Sequence, residues 1–275
     1  MEIRVLGPLT AQENGVSIVP SAGKPRQVLA LLAIRANEVM PVLSLMEELW
    51  GAEPPRSAPT TLQTYILQLR RRIADLLEKC NPGSGQQAKD VLVTRHGGYL
   101  LDVQPGSVDA HEFDRLAAAG SQALEAGDDE AAVRLLRQAQ DLWRGPALVD
   151  VPVGARLELE VTRLEEDRLG VLERRIGAEM RLGRHHELLS ELAVLAAQHP
   201  LHEDLQAQYM IALYRSGRPW RALDVYTRLR DTLVGELGLE PSPRLQRLQR
   251  AVLACDPALD ERGGRGGRIP ERFAV

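Results

Sequence analysis

The stretch TTLQTYILQLRRRI, residues 60–73, groups hydroxyl, amide and guanidinium side chains on one side of a single helix. At about 100° per residue, Leu62, Ile66, Leu69 and Ile73 share one stripe, as in a core-facing helix. The opposite face carries Thr60, Thr64, Leu67, Gln68 and Arg71, with Thr61 and Arg72 on one flank and Gln63 and Arg70 on the other. Hydroxyls and amides can read base edges, a leucine can meet a thymine methyl, and guanidiniums neutralise phosphates. From Thr60 to Ala74 there are three arginines and no acid, whereas a solvated helix face commonly interleaves Glu with Lys. On charge alone, a solvated basic surface is an equally good account.

The surrounding elements separate the two. EIRVLGPLTA and NGVSIV read as two short strands joined by the polar QENG turn. KPRQVLALLAIRA opens a helix with Pro25 in its first turn, and VLSLMEELWG makes a second, halted by Gly51 and Pro54–Pro55. The helix of residues 60–73 is the third, with Ser57 as its N-cap. After a flexible loop, CNPGSGQQAKD, the segment VLVTRHGGYLLDV alternates around a His-Gly-Gly turn and reads as a β-hairpin. Strands, three helices and a hairpin in that order are the winged-helix arrangement. It places Arg95 and His96 at the hairpin tip, beside the minor groove or flanking phosphates. Lys24 and Arg26 add cations at the start of the first helix, where free amides favour an anion. The candidate DNA-binding set is Lys24, Arg26, Thr60, Thr61, Gln63, Thr64, Leu67, Gln68, Arg70, Arg71, Arg72, Arg95 and His96.

Composition agrees with a local rather than a global basic signal. The chain of 275 residues carries a net charge of -4, with 44% hydrophobic and 26% charged residues, as expected of a soluble globular protein. Residues 1–103 hold 11 Lys/Arg against 10 Asp/Glu, and the remainder 23 against 28. No run of 18 apolar residues and no basic-then-apolar leader is present, so the expected location is cytoplasmic, on the nucleoid, with no membrane partner. Cys80 and Cys255 have neither disulfide-scaffold nor zinc spacing.

From about Gly106 the pattern is helical throughout, in about seven segments. Met180, Leu182, Gly183, Leu192 and Leu195 recur 34 positions later as Tyr214, Ser216, Gly217, Tyr226 and Leu229, the tetratricopeptide period. EAGDDEAAVRLLRQAQDLWRG is a degenerate further copy. The expected fold class is mainly α with small β-sheets: a winged helix followed by an all-α, tetratricopeptide-like repeat domain. The boundaries are 1–106 for the first domain and 107–257 for the second, with a Gly/Arg-rich tail, 258–275, that reads as disordered.

Other chemistry-bearing residues have plainer readings. His199, His202, Glu203 and Asp204 match no metal-ligand spacing and lie at a helix junction, where acids suit the next N-terminus. His185 and His186 read as a surface pair with divergent rings. Tyr209, Tyr214, Trp220 and Tyr226 read as repeat packing, and Trp143 as a packing anchor at a helix end. GGRGGR lacks the strand–helix context of a phosphate loop. With no GxSxG, HExxH or Walker motif, no catalytic, cofactor or metal site is expected, and the chain reads as a non-enzyme.

GKPRQVLALLAIRANEVMPV, LMEELWGAEPPRSAPTTLQTYILQLRRRI and TRHGGYLLDV resemble the DNA-binding domain of the Streptomyces antibiotic regulatory protein family, itself similar to the OmpR-type winged helix. VDAHEFDRL, DLWRGPAL, RLEEDRL, LGRHHELLSEL, HPLHEDLQAQYMIALYRSGR and ELGLEPSPRL resemble its bacterial transcriptional activator domain. The resemblance runs in order over residues 2–257. It implies a pathway-specific activator of antibiotic or other secondary-metabolite genes. Such a protein binds direct repeats in double-stranded promoter DNA, a second protomer on the adjacent repeat, and RNA polymerase with its sigma factor. It also implies that the ATPase module and the phosphopeptide-binding domain of longer members are absent here. All candidate DNA contacts lie within residues 1–106, so that fragment alone should keep specific, weaker binding. The alternative is a helical-repeat scaffold whose winged helix binds protein; the acid-free, aromatic-poor face of the third helix favours DNA.

Overall fold

The computed structural model describes residues 1–80, 82 and 85–260. Two compact units appear: Met1–Ala117 with Gln138–Leu169, and Ala118–Arg137 with the chain from Gly170. The first therefore reaches past residue 106 and takes in a later stretch of chain.

In the first unit, β1 (Glu2–Arg4), β2 (Thr10–Glu13) and β3 (Val16–Ser17) form an antiparallel sheet in that order. Three strands replace the two expected, because residues 5–9 leave the ladder. The backbone N–H groups of Val5 and Leu6 donate to the Asp109 carboxylate at 2.7 and 3.1 Å, and that of Leu9 donates to Asp150 at 2.7 Å. Helices α1 (Gly23–Ile34), α2 (Val42–Trp50) and α3 (Ala58–Cys80) follow. The apolar stripe of α3 is buried as its spacing requires, with Leu62, Ile66, Leu69 and Ile73 each at 0–1% exposure. A short helix, α4 (Ala88–Val91), ends the loop that reads as flexible in sequence, closed by a reciprocal Gln87–Asp90 capping box.

The hairpin is β5 (Leu92–Arg95) and β6 (Gly98–Leu101). A strand not anticipated, β4 (Met40–Pro41), joins it, giving the antiparallel order β4-β6-β5. Two residues carry no strand signal, and only Gly98 makes the pairing possible: a Cβ there would lie 2.3 Å from the Met40 carbonyl oxygen.

Helices α5 (Asp109–Glu125), α6 (Asp129–Asp141), α7 (Ala155–Arg181), α8 (His185–Gln198), α9 (Glu203–Arg215), α10 (Pro219–Thr232) and α11 (Pro243–Leu253) complete the chain, with a π turn over Leu233–Leu237. The 34-residue repeat is visible as geometry in the second unit. Gly183 and Gly217 have φ of 78° and 73°, and the next amides reach back across the turn to Glu179 and Leu213 at 3.0 and 2.9 Å. Both turns therefore end a helix with the same left-handed closure.

Two sequence expectations fail in this unit. Trp220 is not a packing residue: it is 66% exposed, with the Arg221 guanidinium 5.3 Å from its ring centre. Of the other three, Tyr226 is buried and Tyr209 and Tyr214 are half-buried. His185 and His186 do not diverge; their rings lie 4.5 Å apart at the first two positions of α8. His202 serves α9, its Nδ1 accepting from the Leu205 amide while Nε2 lies 2.9 Å from Glu173. Trp143, in the first unit, packs edge-on against Phe113 at 5.6 Å, as a helix-end anchor should. Of the tail read as disordered over 258–275, the start is ordered, with a 3-10 turn at Pro257–Leu259 that buries Leu259, and the part from residue 261 lies outside the described residues.

Candidate nucleic-acid interface

The candidate surface is built on α3 by default of burial. With its inner stripe packed, Thr60, Gln63, Thr64, Leu67, Gln68 and Arg71 are left exposed, and Leu67 shows 53% of its surface. The Thr64 hydroxyl donates to the Thr60 carbonyl at 3.0 Å, so in this rotamer it offers a ligand only its lone pairs. Gln63 and Gln68 keep both amide functions unbonded among the described residues. Thr61 is half-buried.

The three arginines of α3, adjacent in sequence, have three different environments. Arg71 is exposed, with no acid partner among the described residues. Arg72 is half-buried and turns toward the Val19 carbonyl at 3.4 Å. Arg70 is drawn inward: Nε and Nη2 donate to the Leu92 carbonyl at 3.0 and 2.7 Å, and Nη2 to Thr94 Oγ1 at 2.8 Å. The hairpin tip holds Arg95 and His96, both exposed.

At the N-terminus of α1, Lys24 is exposed with its ammonium 4.8 Å from the centre of the Trp50 ring. Arg26 is half-buried, its guanidinium 2.5 Å from the Asp150 carboxylate, which also accepts from Leu9. That cation is neutralised within the unit. Arg56, which the sequence reading omitted, stands exposed just before α3 and has no ion pair among the described residues. The signal was a cation one residue ahead of Ser57, at the N-terminal end of α3, where backbone amides favour an anion.

The unit that carries this surface is held by buried carboxylates that join the winged helix to later chain, Asp109 of α5 reaching back to the residues after β1 and Glu48 of α2 reaching forward to α7. Asp109 holds Val5 and Leu6 as described. Burial pushes its carboxyl above the ordinary aspartate range, while the Val5 and Leu6 amides and the Arg144 guanidinium pull it back. Glu48, 3% exposed on α2, accepts from the Gln27 amide at 2.7 Å and from the backbone N–H groups of Gly154, Arg156 and Leu157 at 2.6, 2.9 and 2.9 Å. It thus caps the first turn of α7 from another element, with the anion at the positive end of the helix. Gly154 allows the approach; a Cβ there would lie 2.1 Å from the Glu48 carbonyl oxygen.

Among the described residues no cluster of metal-ligating side chains is found and no helix is long and apolar enough to cross a membrane. Residues 18–101 match the family model described as transcriptional regulatory protein, C terminal, and residues 108–253 match that of the bacterial transcriptional activator domain. The chain is 57% identical to the regulatory protein DnrI of Streptomyces peucetius, over 96% of each. It is 37% identical to the transcriptional regulator RedD of Streptomyces coelicolor, over 94% of this chain and 72% of that one. Identity to the regulatory protein AfsR of the same species is 40% over 94% of this chain, which spans only 24% of AfsR. Among solved structures, Mycobacterium tuberculosis EmbR in complex with a low-affinity phosphopeptide superimposes with a TM-score of 0.84 at 33% identity, over 93% of this chain and 65% of that one. The fold class read from sequence, a winged helix followed by a helical repeat domain, is the one these comparisons and the coordinates share. With both domains matched in order and a regulator aligned over 96% of each chain, the chain belongs to the Streptomyces antibiotic regulatory protein family of transcriptional regulators.

Proposed function

We propose that this regulator activates transcription by binding double-stranded promoter DNA through α3 and the β5–β6 hairpin. The observation that carries the reading is the exposed, acid-free face from Thr60 to Ala74, on which Leu67 and Arg71 are both offered to a partner. In this reading α3 enters the major groove. Thr64, Leu67 and Gln68 meet base edges, while Thr60, Gln63, Arg71, Arg56 and Lys24 meet backbone phosphates. Arg95 and His96 reach the flanking phosphates or the minor groove. Arg26 and Arg70 leave the set of direct contacts, because their guanidiniums are engaged within the unit.

The family's activator domain supports recruitment of RNA polymerase, with its sigma factor, as the second half of the function. Tandem sites have no two-fold axis, so protomers on direct repeats meet head to tail. Such a contact can be weak in solution and still cooperative once DNA raises the effective concentration. The free protein is then largely monomeric, and two repeats bind cooperatively. The test is a gel shift of the full chain against the promoters neighbouring its own gene, with single and paired repeats, across a salt series. With about five phosphates neutralised per protomer, log K should fall with log salt at a slope of about -4 to -5. Absence of any sequence-preferring shift, or a stable free dimer, would overturn the corresponding part.

A further inference from the structure

We propose that Arg70 is a positioning residue that ties the hairpin to α3, so that helix and hairpin tip present a single rigid surface; the inference rests on the DNA-binding reading above. In sequence Arg70 is one of three consecutive arginines and looks like a phosphate contact. In the structure its planar fork is spent on the hairpin. Two of its nitrogens share the Leu92 carbonyl at 3.0 and 2.7 Å, and the second also donates to Thr94 Oγ1 at 2.8 Å.

Register explains why that carbonyl is free to accept. β5 is an edge strand, paired only with β6, with Arg95 opposite Gly98 across the two-residue turn. Hydrogen-bonded and non-bonded pairs alternate along an antiparallel ladder. Arg95–Gly98 and Val93–Leu100 are then the bonded pairs, and the Asp102 amide continues the series by donating to Val91 at 2.7 Å. Leu92 and Thr94 fall between them, so the Leu92 carbonyl points away from β6, off the open edge. An unpaired edge carbonyl is what a fixed guanidinium fork can cap. The Leu92 bond lies at the base of the hairpin, three and four residues before Arg95 and His96 at its tip. Without it β5 keeps its pairing to β6, but the hairpin loses this polar tie to the recognition helix. The tip then has more orientations to lose when it meets DNA.

The experiment uses the full-length protein and a duplex carrying the site it recovers from a random-sequence library, at 0.15 M salt. Arg95→Ala in the parent should weaken binding about five-fold, the value of one released counterion at that salt. In the Arg70→Met background the same change should do almost nothing, because the tip is no longer held for its contact. Arg70→Lys separates charge from geometry: lysine keeps the cation but not the fork, so it should behave like Arg70→Met. Thr94→Val, which removes one of the three bonds, should give a smaller loss with the same coupling to Arg95. Thermal melting of each variant confirms that it is folded. Multiplicative losses for Arg70→Met and Arg95→Ala, or parent-like affinity for Arg70→Lys, would show that Arg70 is a phosphate contact and overturn the proposal. Arg71→Met serves as the control on the underlying reading. If the parent binds and Arg71→Met weakens it while Arg70 and Arg95 are uncoupled, only the Arg70 assignment falls. If the parent selects no site, both fall.

Discussion

Along α3, from Thr60 to Ala74, cations stand on a surface with no acid of its own, and Arg71 keeps its guanidinium open. In the second unit three arginines of α6 and α7, Arg137, Arg175 and Arg181, are closed on carboxylates. Arg175 is 4% exposed and bonds Glu179 at 3.0 Å and also Glu191; Arg137 bonds the same Glu179 at 2.5 Å; Arg181 bonds Asp129 at 2.6 Å. The same side chain therefore does two jobs. A buried guanidinium must have its charge answered inside the protein, since desolvating it alone costs several kcal/mol, and such a pair holds helices in register. An exposed one with no acid in reach adds nothing to the fold and is left for an anion from outside. Arg26 and Arg70 show that a position in the first unit does not settle the matter, because both are engaged within it.

The largest expected effect breaks the first unit itself. A 1–106 fragment lacks Asp109, Asp150 and the α7 turn that Glu48 caps, leaving the amides of Val5, Leu6 and Leu9 without their acceptors. It should show no cooperative melting transition and no specific DNA binding, contrary to the sequence-based expectation that it binds weakly. In the full chain Glu48→Ala should cost about 3–5 kcal/mol, from several buried donors left unsatisfied. A fragment that melts cooperatively would show that the buried carboxylates are dispensable.

Glu179→Ala sharpens the comparison from the other side. It strands Arg175 in the interior of the second unit with only Glu191 to answer it, and should cost about 3–5 kcal/mol of stability in chemical denaturation. DNA affinity measured on the folded fraction should not change. A parallel loss of affinity would mean the closed pairs and the open face are not separate.

Gln68→Ala should do the reverse, leaving the melting curve in place and removing about 1–3 kcal/mol of discrimination between cognate and scrambled duplexes. Equal losses on both duplexes would reassign Gln68 to backbone positioning. Smaller still is the difference between neighbouring arginines. Arg71→Ala should weaken binding about five-fold at 0.15 M salt and lower the salt slope by about one, whereas Arg72→Ala, already turned to Val19, should fall short of that in a side-by-side titration. Equal effects would show that Arg72 swings out to DNA.

The smallest effect is predicted for Trp220→Ser. At 66% exposure the ring contributes little packing, so stability should move by less than about 0.5 kcal/mol. A cost of about 3 kcal/mol or more would restore the packing role its sequence spacing suggested.

The sequence by itself determined the elements whose cause is local. Periodicity of 3.6 placed the inner stripe of α3, and by exclusion its outer face, since each residue's side is set by its position along one helix. The hairpin and the 34-residue repeat were equally legible, because turn chemistry and repeat spacing act over a few residues or recur, although Gly98, read as part of the turn, belongs to β6. Only tertiary structure decided which cations are free. Asp150 reaches Arg26 over 124 residues and Glu48 reaches Leu157 over 109, while the Leu92 carbonyl takes Arg70 from a register set by β6. The two-residue strand β4 likewise exists only because β6 lies beside it with a glycine at the contact. Such pairings join residues that nothing in the local pattern connects, and a buried or capped charge looks the same in sequence as an open one until the chain has brought its partner to it.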